Sequence, residues 1–187
     1  MRALVLAIAS IALVVCGGIG CAASTANGPT TAYRASDAPL FDHSVDFVET
    51  PVIVEGEWRG EFEQRVVRAD LIAAVRVQSS VAEIVQRHSA FRITVRVYDR
   101  FKGQSSKEIE LRVDDEQPSY ATVEDYEQRI LRDPWIAFIK WEASNAGDGP
   151  VPHWHLSPDT PEVRAKIDYL LSTPPPDPNT QVEVIER

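Results

Sequence analysis

The sequence predicts a mainly β domain of α+β class, with two helices set beside the strands. Three observations carry this. From Phe91 to Phe101 the residues alternate with period two, interrupted only by Asp99: Phe91, Ile93, Val95, Val97 and Phe101 against Arg92, Thr94, Arg96, Tyr98 and Arg100. A second alternating run, from Lys107 to Val113, follows a short break at Lys102-Gly103. Then Trp135 to Trp141 (WIAFIKW) is apolar on both faces, as a strand covered on both sides requires.

The totals bound the rest. At 187 residues, with 44% hydrophobic and 25% charged, the chain has room for one domain and an export segment. A formal charge of −9 argues against nucleic acid or an anionic membrane surface as a partner, since both require a basic patch. Both cysteines, Cys16 and Cys21, lie at the amino terminus. The remainder of the chain therefore holds no disulfide and no cysteine-ligated metal.

Residues 1–21 read MRALVLAIASIALVVCGGIGC. Arg2 precedes an apolar run from Leu4 to Val15, the order of a signal peptide. Glycines at 17, 18 and 20 interrupt the run before Cys21. The segment resembles a bacterial lipoprotein signal, in which a small residue precedes the cysteine that is lipidated and becomes the new amino terminus. Gly20-Cys21 and Ile19 match that pattern; Gly18 stands where leucine is usual. The resemblance implies cleavage after residue 20, acylation of Cys21 and, with Ala22 next, an outer-membrane or cell-surface address. Several acyl chains together exceed the weak membrane binding of one. Loss of residues 1–20 removes Arg2 and no acid, leaving about −10 (18 Lys+Arg against 28 Asp+Glu).

From Ala22 to Pro39, alanine, serine, threonine and proline dominate without apolar period, which reads as a flexible spacer. The division is thus residues 1–20 signal peptide, 21–45 lipidated cysteine and tether, 46–172 folded domain, and 173–187 a proline-rich tail. Within the domain, Pro51–Glu55 is a short strand, and Gly56 and Gly60 bracket Trp58 in a turn. Leu71 to Gln78 is a strand that continues, bent, through Val81–Val85. The two alternating runs form a hairpin turning near Gln104, with Ile109, Leu111 and Val113 inward. A helix follows, capped by Thr122, with Val123, Tyr126 and Ile130 on one face; Asp133-Pro134 ends it. After the apolar strand, Thr160-Pro161 opens a second helix running to about Leu171. Gln181 to Glu186 is a candidate last strand.

The succession ADLIAAVRV, a long strand ending VYDRFKG, then IELRV and WIAFIKW resembles the netrin-like domain. That module has the OB fold and occurs in the tissue inhibitors of metalloproteinases and in bacterial exported proteins. The likeness covers roughly Ala69 to Trp141. It implies a five-stranded OB-like barrel with two flanking helices, no cofactor and no catalytic motif. The animal domains are stapled by disulfides, and this chain has none to offer. Their inhibitory amino-terminal cysteine also has no counterpart beside the barrel, since Cys21 lies beyond the tether.

Candidate site residues are few. His153 and His155 flank Trp154, and on a strand both would share a face. They are the metal candidates, with Asp148, Asp159 or His88 as possible further ligands, because a site requires three or four. The competing reading puts Trp154 and Leu156 in the core and makes the stretch an anchor for the loop ahead of the last helix. Trp58, Trp135, Trp141 and Trp154 are candidates for a glycan platform or for core. The stripe Arg92, Arg96 and Arg100 is expected to be neutralised by Glu108 and Glu110 across the hairpin. The acidic runs at Asp114–Glu116 and Glu124–Glu127 lack the pattern of a calcium loop. No nucleophile elbow, zinc-protease motif or phosphate loop occurs. The expectation is a non-catalytic, lipid-anchored envelope module with a protein or envelope partner; the alternatives are a metal-binding protein or hydrolase using His153 and His155, and a glycan binder.

Overall fold

The computed structural model describes residues 32–48, 51, 53, 58–85, 87–143 and 149–173. The leader, Cys21, most of the expected strand at 51–55, Asp148 and the 174–187 tail lie outside them. Among the described residues no helix is long and apolar enough to cross a membrane.

The molecule is mainly β. Strands β1 (Ser44–Val45), β2 (Leu71–Val85), β3 (His88–Lys102), β4 (Glu108–Asp114), β5 (Pro134–Glu142) and β6 (Val151–Pro158) form one sheet in the order β1-β6-β5-β2-β3-β4. Three helices accompany it: α1 (Glu61–Arg68), α2 (Tyr120–Arg132) and α3 (Pro161–Ser172). The expected count of five strands and two helices is thus exceeded by β1 or β6 and by α1. The His153–His155 stretch, expected to anchor the loop ahead of the last helix, is part of strand β6, paired antiparallel with β5 and parallel with β1, with Trp154 and Leu156 in the core as expected.

The alternating runs form strands for the reason the sequence suggests. Phe91, Ile93 and Val95 on β3 and Ile109, Leu111 and Val113 on β4 are buried, while Arg92, Arg96, Glu108, Glu110 and Arg112 face outward. Register shifts along β2–β3 mark bulges, which bend the sheet into a curled half-barrel. Strands β2 and β5 are buried on both faces. Leu71, Ala73, Val75, Trp135, Ala137 and Ile139 line the inside of the curl. Ile72, Ala74, Ile136 and Phe138 pack outward against α1, α3 and residues 40–41. The Trp135 indole also donates to the Ile130 carbonyl at 2.9 Å, tying β5 to α2.

Helix α1 repeats Phe62 and Val66 four residues apart, carries Glu61 and Glu63 in its first turn, and ends on Arg65 and Arg68. It meets α3 through a fully buried pair, Lys166 Nζ to Glu63 Oε1 at 2.6 Å. Gly103 ends β3 at φ +78°, and a Cβ there would run into the Asp70 carbonyl oxygen, so the turn requires glycine. Helix α3 begins as expected, with the Thr160 side chain accepting from the Val163 amide and Pro161 opening the helix. Helix α2 differs: Ser119 precedes it and Thr122 lies inside it. The helix kinks at Tyr126 (φ −115°, ψ 19°), which turns that residue to solvent while Val123 and Ile130 stay buried.

The packed chain starts before residue 46. Leu40, Phe41 and Val45 are buried, and the amides of His43 and Asp46 donate to the Trp154 and Leu156 carbonyls at 2.8 Å each. The later part of the expected tether is therefore a strap on the sheet, docked by apolar side chains that composition alone underweights.

Candidate functional site

Most of the ionisable side chains at the β1–β6 edge belong to the strap and to β6. Because β6 is a strand, His153 and His155 share one face, with the fully buried Trp154 opposite. The strap lays Asp42, His43, Ser44 and Asp46 across that face, through the parallel register Ser44↔His155.

Two separate constellations result. In the first, His153 Nε2 lies 2.8 Å from Glu142 Oε2, and its Nδ1 lies 3.2 Å from His43 Nε2. His43 Nδ1 is 3.0 Å from the Arg112 carbonyl oxygen on β4. Trp154 Nε1 donates to that same carbonyl at 2.9 Å. Tyr33 stacks on His153 with ring centroids 3.8 Å apart. His43 is held at φ 60°, a conformation few non-glycine residues adopt. The two side chains that meet on Arg112 join β6 and the strap to the far edge strand of the sheet. They draw the curl together where backbone pairing does not.

In the second, His155 is buried. Ser44 Oγ sits 2.8 Å from its Nδ1, Asp42 Oδ1 is 3.6 Å from Nδ1, and Asp46 Oδ2 is 3.2 Å from Nε2. The Nε2–Asp46 approach is close enough for an ion pair but poorly angled for a hydrogen bond, since Nε2 has no well-formed partner. Ser44 also donates to Asp42. Burial alone would raise the Asp42 carboxyl. The bonds from His155 and Ser44, with the charge of the ring, outweigh that and bring it down to about 2. Asp46 is lowered as well, chiefly by its contact with His155.

A serine, a histidine and aspartates in contact invite a hydrolytic reading, but the geometry opposes it. A general base needs a free nitrogen facing the nucleophile. Here a carboxylate stands at each nitrogen of His155, and the Ser44 hydroxyl hydrogen is directed to Asp42. The arrangement clamps the strap; it does not activate Ser44.

The expected metal ligands do not converge. His153 and His155 take different partners. His88 lies at the start of β3, 3.2 Å from Asp115. Asp159 binds Tyr98 and Arg164 beside α3. Among the described residues there is no group of three or more histidine, cysteine, aspartate or glutamate side chains placed to hold a metal ion. The tryptophans do not form a platform either. Trp58, Trp135 and Trp154 are buried, and Trp141 is half-buried against the inner core. His43, Ser44 and Asp46 escaped the sequence reading because they fell at the edge of a segment read as spacer. Their signal was the apolar spacing of Leu40, Phe41 and Val45 around them.

Neither a scan against protein-family models nor a search of curated proteins returns a match for this chain.

Proposed function

We propose that this chain is an exported, lipid-anchored, non-catalytic binding module built on an OB-type half-barrel. The observation that supports it is the connectivity: a meander β2-β3-β4, then α2, then a β5–β6 pair that returns to the other side of β2. We read this as the strand path of an OB fold, a five-stranded and partly open barrel, with β1 as an added edge strand. The likeness to the netrin-like domain leads to the same path. The barrel alone specifies no activity. What favours binding over catalysis is that the one serine–histidine contact of the strap is spent on holding the chain down. Anchoring rests on the Gly20-Cys21 junction and the apolar run before it.

The test uses the full chain expressed in a bacterium with two membranes. Wild type is expected in the membrane fraction, and Cys21→Ala is expected to move it out of that fraction or leave an unprocessed leader. Ser44→Ala is expected to leave the fold intact and to change no ester- or amide-hydrolysing activity. An activity abolished by Ser44→Ala in a folded protein would refute the non-catalytic reading.

A further inference from the structure

We propose that the cleft between the end of β3 and the β3–β4 loop binds a phosphate-type oxyanion. Of the arginine stripe on β3, only Arg92 is neutralised among the described residues. Arg92 lies 3.4 Å from Glu83 and 3.6 Å from Glu110, and Arg112 lies 3.0 Å from Glu83, so this end of the face balances its own charge. Arg96 and Arg100 differ. Glu108 stands opposite Arg96 in the ladder, yet among the described residues neither arginine has an ion-pair partner. Both line a cleft of about 280 Å³, together with Lys107 from the loop, which is likewise unpaired among the described residues.

The cleft also holds Ser105, whose Oγ is buried and has no hydrogen-bond partner. A buried hydroxyl without a partner costs free energy unless something occupies its donor. Asp99, the carboxylate among the described residues that line the cleft, is already engaged: its Oδ2 accepts from Arg164 at 2.9 Å and its Oδ1 accepts from the Arg100 amide at 2.9 Å. Three unpaired cations around one opening, in a chain of charge −9, are a local reversal of the protein's field. Two guanidinium forks, an ammonium and a hydroxyl donor suit a tetrahedral anion with several acceptor oxygens better than a single carboxylate. The volume is near the lower end of ligand pockets, about 300–1,000 Å³, and so leaves room for a group bonded to the phosphate. Such a group has two sources, a soluble phosphorylated compound or the headgroup of a membrane lipid. The site does not depend on where the chain is anchored.

The experiment titrates the full chain with inorganic phosphate by calorimetry. It also sediments the chain with phosphatidylglycerol vesicles, using phosphatidylcholine vesicles as the control. Saturable phosphate binding is expected, weakened at least about tenfold in Arg96→Gln/Arg100→Gln, in keeping with the loss of charge-assisted bonds. It should weaken a few-fold in Ser105→Ala and stay unchanged in Arg92→Gln, whose charge is already paired. Vesicle binding that falls in the double variant assigns the headgroup; phosphate binding without a vesicle difference assigns a soluble ligand. If neither phosphate nor vesicle binding differs between wild type and the double variant, the proposal is overturned.

Discussion

His43 Nε2 lies 3.2 Å from His153 Nδ1, and only one hydrogen fits between them. The outer nitrogens fix this. The Arg112 carbonyl can only accept, so His43 Nδ1 carries a hydrogen; the Glu142 carboxylate at 2.8 Å calls for one on His153 Nε2.

A pH dependence follows. Burial pushes the His43 imidazole below its ordinary value of 6.5; the bond to Arg112 opposes this, and the charge of His153 adds to it. A histidine lowered in the folded state favours the neutral fold. Its contribution is whole above 6.5 and is lost as pH falls from there toward the lowered folded value. Between about pH 7.5 and about pH 5.5, wild type should therefore lose more thermal stability than His43→Gln, which cannot titrate there. Parallel melting curves for the two proteins across that window would contradict the burial of a neutral His43.

Asp42, beside His155, gives the same sign in a more acidic window. Asp42 is lowered from 3.8 to about 2 in the fold, so its stabilisation is present above 3.8 and disappears as pH falls through about 2. The carboxylate is 44% exposed, so screening by water reduces the effect. Asp42→Asn should cost about 1 kcal/mol near neutrality, and the difference should vanish in strong acid. Urea titrations at both pH values measure it.

The Lys166–Glu63 pair is buried on both sides, at 0% and 8% side-chain exposure. Removing the Glu63 charge takes a close counter-charge away from the buried Lys166 ammonium. Glu63→Gln alone should destabilise by about 3 kcal/mol, whereas Glu63→Leu with Lys166→Met should recover most of that. The urea midpoints of the single and double variants decide between these outcomes.

Trp154 and His43 both bond to the Arg112 carbonyl, the side-chain closure of the curl. Trp154→Phe keeps most of the ring packing and should cost about 1 kcal/mol. Combined with His43→Ala it should cost more than the sum of the two, because the carbonyl then loses both donors. Additive losses in a double-mutant cycle would show that the two bonds close the sheet independently.

Much of the fold was legible because period two and double-sided apolarity are local. The inward sets of β3 and β4, the buried β5 and the Thr160-Pro161 start of α3 all follow from adjacent residues. The misses share a different cause. Strand β6 reads polar because His153 and His155 sit on its strap-facing side, and only the strap, distant in sequence, makes that side part of the packed structure. Helix α1 is two turns long, and its apolar face is just Phe62 and Val66, too little for periodicity to stand out. The kink at Tyr126 gives no sequence signal that we recognise. The site was half legible: the spacing of His153 and His155 placed both on one face, but their partners come from residues 42–46 and Glu142. The arginine stripe was read as wholly neutralised, although its balance depends on Glu83, across the β2–β3 ladder, and reaches only Arg92 and Arg112.

The account stands most directly on the maturation of the amino terminus. Intact-mass spectrometry of the protein extracted from its native membranes should show a chain beginning at Cys21, without residues 1–20 and carrying the added mass of acyl chains. A polypeptide that retains Met1 to Gly20, unacylated and recovered from the cytosol, would contradict it.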